Sequence, residues 1–312
     1  MTMTPEEQAR AASQARITAA AASSGLFDNG AVQIAPVNGG FTNLNWLLTG
    51  ADGTIVFAKD PGEDGQHFID RKVAQEASLR AGETGYAPRI LAIDAASGIE
   101  FHEYLDGYVS ASVADMADRS LRQQVMRGYK LVHDTAPFTA TKTGLDQIEE
   151  HLDQIRSQNL ALPPAYTAMM PLIDKASDAI RAAGIDLCPC YNDGHVTNYM
   201  LGPKGDVRII DWEYAANNDR YWDVALFGLE IFLDRDELLG LLEDYEGTAH
   251  PTAIARIEAY AVLTAAKWAL WATIQSQTSP LGFDFRKYAE TLLERIRRRA
   301  ADPAWAEILR RV

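Results

Sequence analysis

The segment Cys190-Tyr-Asn-Asp-Gly-His-Val-Thr-Asn-Tyr-Met-Leu201 places Asp193 five residues before Asn198. An apolar run, Val207-Arg-Ile-Ile210, then leads straight into Asp211-Trp-Glu-Tyr214. Taken singly, Asp193 and Asn198 are ordinary turn formers. Together with Asp211 they offer what phosphoryl transfer needs. One carboxylate can orient an attacking hydroxyl and accept its proton, and hard oxygen ligands can hold magnesium against a triphosphate. A strand–loop–strand setting would bring the three to one rim. Glu213 is either a second magnesium ligand or a charged flank.

Such a site also needs a grip on the nucleotide. Gly39-Gly-Phe-Thr-Asn43 lies between two predicted strands. Its glycines would let backbone N–H groups approach phosphates, with Thr42 and Asn43 as added donors. Lys59 ends the run Ile55-Val-Phe-Ala-Lys59, where an ammonium can reach phosphates, and Glu76 on the next predicted helix could pair with it. The bland readings are a Gly-Gly hairpin, a solvated strand end and a solvated helix face. Far downstream, Trp268 and Trp271 are three apart in Ala-Lys-Trp-Ala-Leu-Trp and share one helix face. That face is either core or an aromatic wall for a cation.

The elements that must carry these residues divide into two stretches. A helix over about 5–22 opens on Thr4-Pro-Glu-Glu7. Strands are predicted over Ala31–Val37, Asn43–Leu48 and Thr54–Lys59, then a helix over Phe68–Gly82, then strands over Ile90–Ile93 and Ile99–Tyr104. Beyond Asp106 the pattern turns helical: Ser112–His133, Gly144–Ser157, Pro164–Gly184, Tyr221–Leu233, Asp236–Tyr245, Ile254–Gln277 and Phe285–Arg299. A strand leads into Cys190 and another covers Val207–Ile210. The expectation is an α+β chain of two lobes, an antiparallel β-sheet lobe at 1–106 and a mainly helical lobe at 107–312.

Bulk properties narrow the partners. The 312 residues carry 29 basic and 43 acidic side chains, a net charge of −14, which argues against nucleic acid. No apolar run is long enough for a membrane span, and the charged, Ala-rich start lacks the apolar core of a signal peptide. A cytoplasmic protein is expected, with Cys188 and Cys190 as reduced thiols.

The Asn-Asp-x4-Asn loop, the Ile-Asp-Trp-Glu-Tyr run and the Trp-x-x-Trp helix followed by Gln275 and Phe283-x4-Tyr288-Ala289 resemble the choline/ethanolamine kinase family. That family sits within the aminoglycoside-phosphotransferase and protein-kinase-like fold. The resemblance spans about residues 31 to 299 and departs at Tyr191, where the family has His. It implies ATP and Mg2+ as cofactors, Asp193 as catalytic base, and Asn198 and Asp211 as magnesium ligands. It implies a phosphate loop containing Gly40, Thr42 and Asn43, a Lys59–Glu76 pair, and a hinge whose backbone near Glu103 and Leu105 meets adenine. It also implies a structural His133, a structural Asp223, and a cation site built from Tyr214, Glu230, Trp268, Trp271 and Tyr288. The activity expected is choline phosphorylation to phosphocholine, and since members of that family are often dimers, the resemblance implies a homodimer. The alternatives are ethanolamine, thiamine or an aminoglycoside as acceptor, or a noncatalytic quaternary-amine binder.

Overall fold

A computed structural model of the chain describes residues 4–27, 31–37, 43–61, 69–279 and 281–312. Strands β1 (Gln33–Val37), β2 (Leu44–Thr49), β3 (Ile55–Asp60), β4 (Ile90–Ile93) and β5 (Glu100–Glu103) form an antiparallel sheet in the order β1-β2-β3-β5-β4. Alternation decides its faces. β3 buries Val56, Ala58 and Asp60 and leaves Lys59 pointing the other way. Helix α1 (Pro5–Ser23) begins with a reciprocal capping box between Thr4 and Glu7. It lays Ile17, Ala20 and Ala21 on Trp46, Leu48, Val56 and Ala58. Buried Asp60 is satisfied from that helix by Ser13 Oγ at 2.5 Å and Arg16 Nη2 at 2.9 Å, while Trp46 Nε1 donates to Ser13 Oγ at 2.9 Å.

Helix α2 (Arg71–Glu83) starts three residues later than its apolar pattern suggests, because Asp70 caps the Lys72 and Val73 amides. Phe68 itself falls outside the described residues. The buried Val73, Ala77 and Ala81 of α2 join the large core of the helical part, not the core under the sheet. That part contains α3 (Arg119–His133), α4 (Gly144–Ser157), α5 (Pro164–Ala183), α6 (Arg220–Glu230), α7 (Arg235–Glu246), α8 (Pro251–Thr278), α9 (Phe285–Ala300) and α10 (Trp305–Arg310). At its centre, α8 packs against α4, α5, α6 and α9 and is buried almost continuously from Ala253 to Ile274.

Several elements differ from the sequence reading. The helix expected from Ser112 begins at Arg119, since Asp118 caps Ser120 and a 3-10 turn fills Asp115–Ala117. The helix expected to reach Leu233 stops at Glu230, where Phe232 takes a left-handed φ of 63°. Short strands β6 (Val109–Ser110), β8 (Tyr199–Leu201) and β10 (Ala216–Asp219) were not foreseen, whereas β7 (Leu187–Cys190) and β9 (Val207–Ile209) were. β8 pairs with β6 and β9, and β7 pairs with β10. Cys188 and Cys190 are free and buried, with sulfurs 3.7 Å apart. No helix among the described residues is long and apolar enough to cross a membrane.

Candidate active site

The loop after β7 is pinned from below by α6. Both carboxylate oxygens of Asp223 accept backbone amides, from Tyr191 and Asn192, each at 2.7 Å. His133 Nε2 lies 2.9 Å from Asp223, and its Nδ1 meets the Tyr245 hydroxyl at 2.7 Å. Asn192 holds a left-handed φ of 63°, tolerable for asparagine, and bonds the Tyr214 carbonyl at 3.0 Å. Gly194 has no room for a side chain, because a Cβ there would lie 2.6 Å from Leu226 Cγ. Tyr191, the departure from the resembled family, ties this loop to the next strand. Its hydroxyl donates to the Ile210 carbonyl at 2.6 Å and its ring meets Trp212 edge-on with centroids 4.7 Å apart.

Asp193 emerges from this frame almost fully buried. It accepts Asn198 Nδ2 at 3.0 Å and the His195 amide at 3.2 Å. Burial, and then the charge of Asp211, raise its carboxyl to about 6, while His195 and Lys267 pull the other way. Ile210 N donates to the Asn198 carbonyl at 3.0 Å, which locks the two sequence-predicted segments together. Asp211 itself sits at φ 64°. Asp193, Asn198 and Asp211 thus form one oxygen-rich corner. Two neighbouring carboxylates with an amide oxygen beside them suit a magnesium ion, whose charge would relieve their repulsion.

Lys59 crosses from the sheet to this corner. Its Nζ lies 2.7 Å from Asp211 and 3.2 Å from Glu213. Burial opposes its charge, but Asp211, Glu213 and Glu100 outweigh that and raise its pKa. Glu213 is nearly buried, and its Oε1 also accepts Arg71 Nη1 at 2.5 Å and Asn43 Nδ2 at 2.9 Å. Asp211 and Glu213 together therefore hold Lys59, and Glu213 Oε1 is committed to protein donors. The expected Lys59–Glu76 pair is corrected here. Glu76 turns to Arg80, one helical turn along, at 2.5 Å and to Thr139, whose amide and hydroxyl lie at 3.0 and 2.8 Å.

Of the other nucleotide-side residues, Gly40 and Thr42, with Gly39 and Phe41, fall outside the described residues. The Glu103 amide is taken by the Arg89 carbonyl at 2.8 Å, and the Leu105 carbonyl accepts Tyr108 N at 3.3 Å. Glu103 is thus bound through its amide to the residue just before β4, which leaves that N–H no spare bond for a base.

The five cation-site residues converge. Tyr214 meets Trp268 edge-on at 5.4 Å, Trp268 meets Trp271 at 5.5 Å, and Trp271 meets Phe285 at 5.6 Å. Phe283 bridges Phe285 and Tyr288 at 4.9 and 6.3 Å. The Tyr288 hydroxyl donates to Glu230 Oε1 at 3.3 Å. Burial raises Glu230 and, more strongly, Tyr214 and Tyr288, and the nearby charge of Asp193 adds to both tyrosines. Two residues escaped the sequence reading. Nothing in the sequence distinguishes Arg71. Lys267 carried a signal, as a lone charge inside the apolar run Ala265-Ala-Lys-Trp-Ala-Leu270.

Protein LicA of Haemophilus influenzae is 25% identical over 264 residues, covering 80% of this chain and 75% of that protein. A choline/ethanolamine kinase family protein from Mesorhizobium loti superposes with a TM-score of 0.77 at 24% identity, covering 96% of this chain and 97% of that one. Choline kinase LicA from Streptococcus pneumoniae gives 0.75 at 17% identity, covering 91% and 98%, and a structure of LicA in complex with AMP gives 0.73. These structures share the kinase-like fold of sheet and helical part. The model of the phosphotransferase enzyme family matches residues 33–260, a span that includes the carboxylate corner and its lysine, and so the chain belongs to that family.

Proposed function

We propose that this kinase transfers the γ-phosphoryl group of ATP to the hydroxyl of choline, giving phosphocholine. One observation carries the acceptor: a buried carboxylate, Asp193, beside a group of rings that includes two tryptophans and two tyrosines, with Glu230 at its end. A methylated ammonium cannot donate strong hydrogen bonds, so it is held by ring faces and a nearby negative charge.

Asp193 is the base. As the acceptor oxygen bonds to the γ-phosphorus and the bond to ADP breaks, the hydroxyl proton passes to Asp193. A carboxyl held near 6 is still ionised at neutral pH and is basic enough to take that proton. Asn198 and Asp211 would hold magnesium, which when bound neutralises charge on the phosphates. Lys59 stays protonated and is aimed at the phosphates by Asp211 and Glu213. Asp223, Tyr191 and Gly194 keep the loop fixed, so the reacting groups meet without reorganisation.

Ethanolamine is the second reading. The buried Glu230 carboxylate is an acceptor that its N–H groups could use. A coupled ADP assay over choline, ethanolamine, thiamine and an aminoglycoside, run beside calorimetry, separates these. Choline should give the highest kcat/KM. A panel in which ethanolamine leads would move the acceptor, and binding without ADP release would leave a noncatalytic amine binder.

A further inference from the structure

Lys267 lies in the middle of α8, one residue before Trp268, with no exposed surface. Its Nζ sits 3.1 Å from the centroid of the Trp268 ring and 4.3 Å from that of Tyr214. It has no hydrogen-bond partner among the described residues. Its charged surroundings come from several elements. Asp193 on the catalytic loop and Glu150 on α4 favour its charge, and Lys142, just before α4, opposes it. His151 on α4 is pushed down to about 3 by burial and then by Lys267 itself. Glu230 on α6 and Tyr288 and Arg295 on α9 interact among themselves. Burial is the dominant influence on Lys267 and brings it to about 7.

A cation gains from a ring face only if that face is free, and two like charges in a dry site repel. We propose that Lys267 determines specificity as a built-in cation, which stands on one face of the Tyr214 and Trp268 rings and must release its proton to solvent before an acceptor cation can bind against the remaining ring faces. This rests on the reading of a cationic alcohol as acceptor. It makes that site proton-coupled. At pH 6 about a tenth of the molecules would be competent, so apparent affinity would fall about tenfold relative to high pH.

The test is calorimetric titration of the full chain with choline, without nucleotide, from pH 6 to 8.5 in buffers of different ionisation enthalpy. Wild type is compared with Lys267→Met and, as a second replacement, Lys267→Gln. The expected result is a wild-type Kd that weakens about tenfold from pH 8 to pH 6, with close to one proton released at pH 6. Both variants should bind more tightly than wild type at pH 6, with little change between pH 6.5 and 8.5, and KM should follow Kd. Variants that keep the wild-type slope overturn the proposal while leaving choline as substrate. If choline binds none of the three proteins but another cationic alcohol does, the choline reading fails and the same series with that alcohol decides Lys267. If no cationic alcohol binds, both fall. Tryptophan fluorescence of wild type should also show a transition near pH 7 without ligand, and its absence counts against the proposal even if neither variant folds.

Discussion

The two sides of this site, read under the proposed function as its phosphate and acceptor walls, treat charge in opposite ways. On the phosphate side, Lys59 and Arg71 stand against Asp211 and Glu213, within 3.2 Å. On the acceptor side, Asp193, Glu230 and Lys267 are buried with hydroxyls, amides and rings as their immediate neighbours. A charge held by an opposite charge resists titration, as the raised pKa of Lys59 shows. A charge held only in a dry place drifts toward neutrality, as Asp193 at about 6 and Lys267 at about 7 show. The pH response of the protein therefore belongs to the acceptor wall.

The sharpest way to break this contrast is Asp193→Asn. Loss of the base should lower kcat about 1,000-fold while ATP affinity, by calorimetry, changes little. The stability effect has the opposite sign. The folded carboxyl binds its proton more tightly than the unfolded one, so between about pH 4 and pH 6 its contribution to stability falls as pH rises. Removing the charge should raise unfolding free energy at pH 8 by about 2 kcal/mol and leave it near wild type at pH 4. Urea melts at the two pH values read this directly, and a variant less stable at pH 8 would sink the account of a desolvated base. Activity of the wild type should correspondingly fade as pH drops through about 6.

Glu213→Ala probes the other wall. It leaves Arg71 without its carboxylate and Lys59 with Asp211 alone, and should cost about 2 kcal/mol of stability. That loss should be nearly constant from pH 6 to 9, because Lys59, with its pKa raised, keeps its charge throughout. A loss that varied steeply with pH would erase the distinction between the walls. The smallest effect expected is that of Tyr191→Phe. It removes the hydroxyl that reaches the Ile210 carbonyl and should cost about 1 kcal/mol in a urea melt.

What the sequence made legible was periodic or had one spacing. Helix α4 is bounded by Gly144 and Ser157, as its pattern indicates, with Thr143 and Asp146 as its capping box. Residues Asp193, Asn198 and Asp211 stand close together in one chain segment, so their meeting needed only a turn. Strand β10 was illegible because Ala-Asn-Asn-Asp has no alternation. It exists because its asparagines are consumed by Phe138, Gly144 and Asn192. Glu76 misled for a related reason. Chain order placed it suitably, but a carboxylate pairs with the cation nearest in space, and Arg80 one turn away was closer than Lys59. In the sequence, Tyr191 stood out only as a departure from the resembled family. Its hydroxyl reaches across to β9 and its ring fills against Trp212, which a sequence comparison by residue type does not reveal.

Helix α8 carries Lys267, Trp268 and Trp271 along a single rod of 28 residues, wedged among α4, α5, α6 and α9. Such a rod cannot slide or tilt without unpacking the whole interior. Acceptor preference in this architecture is thus adjusted by exchanging a few side chains on a fixed track. Relatives that favour different amines should differ there in residue identity and keep the length of the helix.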